Sequence, residues 1–393
     1  MFLKSVECEG FKTFSAPTNM ALSRLTVIFG RNNSGKTTLA RLPLFAAASF
    51  ADIDHGYVLS SGDIRFGSSF LDLASIDQPH PSILFKLSWQ PTTSADTAGE
   101  QRSLELELQY VAVGVEQHSV QPRKLTLDDG TPMIYELLKT TSGPSQISVL
   151  GRLSRQERQP IMGRSFELRR LIRDTIHIPS GRAKIESTYA TREPNAWTVG
   201  EVPYLLATND RLATEVANWY AESLNGVNID VDAAAFAFRL VEIRDSLAVS
   251  LSDSGRGIQA VLPVAALLLG VSMREQRARL VVVEEPEEHL HPSAHGAVAD
   301  LLIAASQTSQ VIVETHSENL ILRLRRRIAE GRLSVDDVSL YYVDENHLVS
   351  PVVVDQYGIA ENWPAGIFEG DAEEASDIVE AKLAAMSAMR DSE

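Results

Sequence analysis

The chain opens with a pattern of short apolar segments that suits a buried sheet. Residues 3–11 have apolar positions spaced among polar ones, and residues 25–29 are apolar apart from Thr26. Both patterns predict strands. A glycine-flanked loop follows the second strand directly, and a helix is expected to begin near Lys36. The first 50 residues therefore predict a strand–loop–helix unit.

A less regular pattern follows between about Phe50 and Leu240. Residues 82–89 and 103–113 alternate again and predict antiparallel strands, whereas residues 211–224 have the spacing of an amphipathic helix. Sustained apolar heptads are missing, so we expect no long coiled-coil arm. We interpret this part as an inserted lobe.

Beyond Leu240 the pattern predicts helices and strands in alternation. The expected elements are a helix over 258–273, a strand over 279–285, a helix over 293–306, a strand over 310–317 and a basic helix over 319–329. Such alternation predicts a largely parallel sheet, with the ligand site at the carboxyl ends of its strands. The fold class is thus α/β, with an antiparallel β subdomain and the inserted α/β lobe.

Composition narrows the class of protein. The 393 residues are 44% hydrophobic, and no apolar run approaches the roughly 18 residues that cross a bilayer. We therefore expect a soluble protein without a membrane segment. The N-terminus lacks the pattern of a secretory signal, so the expected location is the cytoplasm. The single cysteine, Cys8, excludes an internal disulfide, and we expect a buried thiol without chemistry.

The loop after the second strand reads Gly-Arg-Asn-Asn-Ser-Gly-Lys-Thr and fits the phosphate-binding pattern GxxxxGK[ST], the Walker A motif. Its backbone N–H groups can cradle phosphates, the lysine reaches the β- and γ-phosphates, and the threonine hydroxyl ligates magnesium. We expect ATP and Mg²⁺ as cofactors. The residues expected to bind the nucleotide are Gly30, Arg31, Asn32, Asn33, Ser34, Gly35, Lys36, Thr37 and Thr38, with Thr37 also a metal ligand.

Two later strands end in polar side chains that suit hydrolysis. The run Leu280–Val283 leads into Glu284 and Glu285, as in a Walker B strand. Glu284 is expected to hold magnesium through water, and Glu285 to orient and deprotonate the attacking water. His316 ends the next strand, where a neutral imidazole can sense the γ-phosphate. We expect Lys36, Glu285 and His316 to be catalytic.

These motifs, in this order, resemble the ABC-type ATPase superfamily outside transport, which contains the SMC, RecF and OLD-like proteins. The resemblance covers about 1–50 and 240–330. Residues 314–331 and 352–364 are most similar to stand-alone AAA-family ATPases of bacterial anti-phage defence islands. The resemblance implies an ABC-type P-loop ATPase head. This head is divided into a first part (1–50), the inserted lobe (51–240), a second part (241–360) and an acidic tail (361–393).

The resemblance further implies a signature loop that contacts ATP bound by a second subunit. The segment from Asp253 to Gln259 is the match, so Ser254, Gly255 and Gly257 are expected to bind nucleotide in trans. Glycine amides and a serine hydroxyl at a helix N-terminus suit an anion. The segment departs from the transporter form LSGGQ. Residues 290–292 would be the D-loop that crosses to the partner. We find no position for the glutamine of a Q-loop.

Three further basic residues are candidates for the site: Lys12, His289 and His291. Lys12 matches the basic residue that SMC-like heads place near the phosphates, although a surface lysine fits equally well. His289 and His291 have no third ligand nearby and are read as structural.

Charge is distributed unevenly along the chain. The net charge of −16 argues against non-specific coating of nucleic acid. Between Arg152 and Arg192, however, ten basic residues face four acidic ones, and residues 361–393 carry a balance of −7. Each segment suits either a partner or an ordinary solvated face.

Three functions therefore compete. The leading hypothesis is an ATP-hydrolysing head that forms a homodimer or higher assembly and controls a separately encoded effector in anti-phage defence. The second is a RecF- or SMC-like DNA clamp whose groove includes the basic segment. A transporter ATPase subunit ranks last, because LSGGQ is missing. We expect no TOPRIM nuclease module, because no Asp-x-Asp pair follows Ser317.

Overall fold

The computed structural model describes residues 1–75, 81–91, 101–112, 118–128, 133–136, 149–182 and 184–364. The strands are β1 Phe2–Glu9, β2 Thr18–Ala21, β3 Leu25–Gly30, β4 Ser60–Ser61, β5 Ile64–Arg65, β6 Ser82–Gln90, β7 Arg102–Ala112, β8 His118–Asp128, β9 Met133–Glu136, β10 Thr175–Ile178, β11 Tyr189–Ala190, β12 Asn228–Ala233, β13 Ala237–Arg244, β14 Leu247–Ser250, β15 Leu280–Glu284, β16 Gln310–Thr315, β17 Val338–Val343 and β18 Val349–Val352. The helices are α1 Lys36–Ala51, α2 Arg155–Arg173, α3 Val202–Thr208, α4 Asp210–Ser223, α5 Arg256–Ser272, α6 Pro292–Ser306 and α7 Glu318–Ala329. Of the acidic tail (361–393), only residues 361–364 lie within the described part.

A six-stranded sheet forms the centre of the fold, in the order β10-β15-β16-β3-β17-β18. All of its neighbouring strands run parallel except the final pair, β17 and β18. The strands β15 and β16 are buried at every position, which explains their continuous apolar sequences. The predicted α/β fold with a largely parallel sheet is confirmed.

A second six-stranded sheet is antiparallel, in the order β2-β1-β6-β7-β8-β9. It brings the alternating strands β6 and β7 together with β1 at the start of the chain. Helix α1 packs between this sheet and the central one, and its buried side chains include Phe45 and Phe50. The antiparallel β subdomain is thus confirmed.

Two segments of the expected inserted lobe pair with strands outside it. The antiparallel sheet joins β6 to β1, and the parallel sheet joins β10 to β15. Local patterns could not reveal these pairings, because the partners are far apart in sequence. Helix α4, the four-stranded sheet around β13 and the first turns of α5 form a smaller region beside the central sheet.

Cys8 is a buried free thiol, as expected, and burial raises its pKa to about 12. Among the described residues, no helix has the length and apolar character to cross a membrane.

Candidate nucleotide site

The Walker A loop joins the end of β3 to the start of α1, and its two glycines are required by the backbone. Gly30 has a φ of +149°, and a Cβ there would lie 2.2 Å from the carbonyl oxygen of Val343. Gly35 has a φ of +99°, and its Cβ would lie 2.9 Å from Thr13 Oγ1. Other residue types are strained in this region of φ and have no space for a side chain. The loop therefore keeps its backbone N–H groups free to turn towards a phosphate.

A cleft of about 760 Å³ opens over this loop at the carboxyl ends of the central strands. It is lined by Thr13, Asn32, Asn33, Gly35, Lys36, Thr37, Thr38, Glu285, Glu287, Glu288, Glu314 and His316. The structure thus brings together the three residues expected to be catalytic. Thr13, Glu287, Glu288 and Glu314 were not predicted from the sequence.

Lys36 is the cation at the floor of the cleft. Its ammonium donates a hydrogen bond to the carbonyl oxygen of Arg31, in the same loop. Burial lowers the pKa of Lys36, while the charges of Glu314 and Glu285 oppose that shift. An ammonium has three donors, so Lys36 can hold the loop and still meet a phosphate oxygen.

Glu284, expected to hold magnesium, is fully buried and has other partners. Arg41 donates to both of its carboxylate oxygens over 2.5 and 2.6 Å, and His177 Nε2 lies 2.7 Å from Oε1. Burial alone would raise the pKa of Glu284, but these hydrogen bonds lower it to about 2. Glu284 is also not among the cleft residues. The Glu284 carboxylate therefore lies outside the cleft in which it was expected to hold magnesium.

Glu314 takes the place facing the Walker A threonine. Thr37 Oγ1 donates to Glu314 Oε1 over 2.7 Å, and the glutamate is only 3% exposed. Burial raises its pKa to about 7, against the effect of the Thr37 hydrogen bond. No role was expected for Glu314 from the sequence. A glutamate that directly follows three apolar residues of a buried strand is a signal that could have identified it.

Glu285 and His316 face each other across the cleft. Glu285 Oε1 lies 3.7 Å from His316 Nε2, and the Glu285 backbone has a positive φ of 42°. Burial, followed by the charges of Glu287 and Glu288, raises the pKa of Glu285. Burial, followed by the charge of Lys36, lowers the pKa of His316 to about 4. The imidazole is therefore neutral at physiological pH, as expected from the sequence.

Residues 285–288 form an acidic turn after β15, and hydrogen bonds hold this turn from two sides. Glu287 Oε1 accepts from the Thr315 hydroxyl over 2.7 Å and from the His316 backbone N–H over 2.8 Å. Arg182 Nη2 donates to the carbonyl oxygens of Glu284 and Glu285 over 2.9 and 2.7 Å. The Arg182 side chain is only 2% exposed. These two residues fix the turn that carries Glu285.

The expected signature loop lies at the start of α5, away from the cleft of its own chain. Ser254 Oγ donates to Glu242 Oε2 over 2.5 Å, and Glu242 in turn pairs with Arg244. Gly255 precedes the helix, and Gly257 packs so closely that its Cβ would lie 2.4 Å from the His289 carbonyl oxygen. The loop therefore touches the turn that leads into the expected D-loop.

His291 and His347 have hydrogen-bond partners within the chain, whereas Lys12 lines a small cavity. His291 caps α6 through a hydrogen bond from the Ser293 N–H, which agrees with a structural role. His347, missed in the sequence, places Nδ1 2.9 Å from the Ser34 carbonyl oxygen. Lys12 lies half-buried beside a small cavity that Thr37, Thr38 and Arg41 also line.

Many side chains of the basic segment have partners within the chain. The engaged groups are Arg164 with the Pro160 carbonyl, Arg169 with the Ala51 carbonyl, Arg170 over the Phe166 ring, Arg173 with Asp174, Arg182 with the acidic turn and Arg192 with Glu201. These contacts explain much of the basic segment without a nucleic acid.

Comparisons with known proteins identify a family and a similar fold. A family model described as "AAA domain, putative AbiEii toxin, Type IV TA system" matches residues 25–323. A solved structure of an SMC head bound to the C-terminal winged-helix domain of ScpA is 13% identical with a TM-score of 0.53, and covers 90% of this chain and 97% of that one.

Two further SMC heads have lower structural scores. The one from Thermotoga maritima is 14% identical with a TM-score of 0.45, covering 90% of this chain and all of that one. The one from Pyrococcus furiosus, bound to the C-terminal domain of ScpA, is 11% identical with a TM-score of 0.46, covering 97% and 99%. A search of curated proteins gave no match.

Proposed function

Because this chain belongs to the AAA domain family that its family match identifies, we propose that it is an ATP-hydrolysing head that dimerises around ATP. The observation that carries the proposal is the single cleft in which Lys36 and Thr37 face Glu285 and His316. A phosphate cradle opposite a carboxylate base and a neutral imidazole suits phosphoryl transfer to water.

Each residue has a distinct role in the proposed reaction. The Walker A backbone and Lys36 bind the β- and γ-phosphates, and Thr37 contributes a metal-binding oxygen. When bound, Mg²⁺ neutralises phosphate charge. Glu285 accepts a proton from the attacking water, and His316 orients that water against the γ-phosphate. Glu287 and Arg182 hold both groups in position through the acidic turn.

The oxygen donors of the cleft fit a magnesium ion. Thr37 supplies a hydroxyl and Glu314 supplies a carboxylate at the same end of the sheet, beside the proposed base Glu285. Mg²⁺ is usually bound by one or two carboxylates together with substrate phosphates, so an ATP site of this composition suits it.

The position of the signature loop supports the proposed dimerisation. In one chain, Ser254 and Gly255 are outside the cleft that holds Lys36. A second copy placed head to tail can bring that loop over the γ-phosphate, which makes ATP part of the interface. Closure should then depend on the γ-phosphate, because both subunits contact it.

We further propose a separately encoded protein partner, with a role in anti-phage defence. The family description refers to a putative AbiEii toxin of a type IV TA system, and the SMC head with the TM-score of 0.53 was solved with a domain of ScpA. These facts concern the relatives and favour an ATPase that controls another protein. The engaged arginines of the basic segment give the DNA-clamp alternative less support.

The test is ATP binding and hydrolysis by the purified chain. Wild type should bind ATP and release phosphate in a Mg²⁺-dependent reaction. Glu285→Gln should retain binding but lose hydrolysis. Phosphate release by Glu285→Gln at the wild-type rate would remove Glu285 as the base, and failure of wild type to bind ATP would refute the proposed function.

A further inference from the structure

Two glutamates end neighbouring strands at the floor of the cleft. Glu284 closes β15 and Glu314 lies near the end of β16, and the two residues are paired in register. Both are buried, at 0% and 3% exposure. Their hydrogen-bond partners are different, and only Glu314 lines the cleft, where a ligand could reach it.

Glu284 is bound to the protein itself. The Arg41 guanidinium donates to both oxygens, and His177 approaches Oε1 to 2.7 Å. The Ser180 backbone N–H approaches Oε2 to 3.4 Å. Removing this carboxylate would leave the partly buried Arg41 guanidinium, whose side chain is 27% exposed, without its counter-charge, which is unfavourable. Glu284 therefore stabilises the contact between α1 and β10.

Glu314 has the opposite arrangement. It lines the cleft, and its Oε1 accepts the hydroxyl proton of Thr37 over 2.7 Å. A hydroxyl has one proton and two lone pairs. Because the proton points to Glu314, the lone pairs of Thr37 are free for a cation. Glu285 and His316 place further ligand atoms within 4.8 Å of those of Glu314.

We propose that Glu314, rather than Glu284, is the carboxylate that acts with Thr37 in holding the Mg²⁺ that accompanies ATP. This inference rests on the proposed function, since the ion arrives with the nucleotide. Glu284 is then a positioning residue, which acts through Arg41 on the helix that begins at Lys36. The acid that shares the metal has moved one strand along the sheet from the Walker B position.

The proposal is tested by measuring how Mg²⁺ changes ATP affinity, using a fluorescent ATP analogue with and without the metal. In wild type, Mg²⁺ should tighten binding by about tenfold or more. Glu314→Gln should lose most of this gain while keeping its metal-free affinity. The double variant Arg41→Met/Glu284→Gln, which removes the buried pair together, should keep the gain.

Mn²⁺ binding followed by electron paramagnetic resonance gives a readout independent of hydrolysis. Glu314→Gln should weaken Mn²⁺ binding, and Thr37→Val should weaken it similarly. If the two side chains serve one ion, the double variant Thr37→Val/Glu314→Gln should lose less than the product of the two single losses. Glu314→Asp, which keeps the charge, should recover part of the affinity.

The opposite pattern would overturn the proposal. Glu314→Gln with wild-type Mg²⁺ and Mn²⁺ dependence, or loss of that dependence only when Glu284 is replaced in a chain that still melts like wild type, assigns the ion to Glu284. ATP binding is measured first without metal, where failure of wild type to bind refutes the proposed function itself. If ATP binds and wild type and Glu314→Gln then respond equally to Mn²⁺, only the assignment of the ion to Glu314 is contradicted.

Discussion

His316 Nε2 lies 3.7 Å from Glu285 Oε1, and each residue is held by the same acidic turn. This distance is too long for a direct hydrogen bond. A nucleophile between them would meet a carboxylate on one side and a neutral imidazole on the other. That is the arrangement needed to orient and deprotonate an attacking water.

The lowered pKa of His316 predicts a pH dependence of stability. In the folded chain the pKa of His316 is about 4, whereas the imidazole in the unfolded chain takes up a proton near its ordinary pKa of 6.5. Stability from this residue is therefore present above pH 6.5 and is lost as the pH falls towards 4. We expect His316→Gln to lose less stability than wild type between pH 7 and pH 5, as measured by urea midpoints. Parallel losses in the two proteins would count against a buried neutral imidazole.

Removing the proposed base should trap the closed dimer. Glu285→Gln keeps nearly the same volume but cannot accept a proton, so it should retain about one ATP per chain and accumulate as a dimer. Light scattering and nucleotide retention measure both effects. Adding Ser254→Arg should prevent closure by crowding the γ-phosphate. A dimer that persists in the double variant would place the signature loop elsewhere.

Two glycines at the start of α5 form a matched pair for testing the contact with the expected D-loop. A Cβ at Gly257 would lie 2.4 Å from the His289 carbonyl oxygen, whereas one at Gly255 has nothing within 4 Å. Gly257→Ala should destabilise the chain by about 1–3 kcal/mol through overpacking. It should also reduce ATP-dependent closure. Gly255→Ala should leave the melting temperature nearly unchanged, and equal behaviour of the two variants would show that this contact is unimportant.

Arg182 should affect hydrolysis more than ATP binding. Its guanidinium holds the carbonyl oxygens of Glu284 and Glu285 but is not among the cleft residues. Arg182→Met should lower kcat by roughly 10- to 100-fold through misplacement of Glu285, with little change in ATP affinity. Arg192→Met, which breaks an ion pair with Glu201, is the control and should keep wild-type kcat. An unchanged kcat in Arg182→Met would remove its positioning role.

Local sequence patterns predicted the elements that carry the site. The phosphate loop, the buried strands β15 and β16 and the helices α4 to α7 each have a signature within a short window, because burial and capping impose it. The residues expected to be catalytic therefore meet in one cleft. Their order along the chain and the parallel sheet were enough to bring them together.

Long-range partners lay beyond those patterns. Arg41 and Glu284 are 243 positions apart, so nothing near Glu284 in the sequence shows that its buried carboxylate pairs with an arginine. Arg182 was counted within a basic segment, although it is buried against the acidic turn. The pairing of β6 with β1 was hidden for the same reason. Side-chain partners and strand neighbours depend on tertiary contacts.

The proposed function requires ATP to bind at Lys36, whose ammonium lies at the floor of the cleft. The decisive measurement is the ATP affinity of Lys36→Ala, taken beside its melting temperature. We expect ATP affinity to fall by about 100-fold or more and hydrolysis to disappear, because Lys36 is the only lysine or arginine among the described residues that line the cleft. The fold should survive. A variant that melts like wild type and binds and hydrolyses ATP at the wild-type level would contradict the assignment of this cleft.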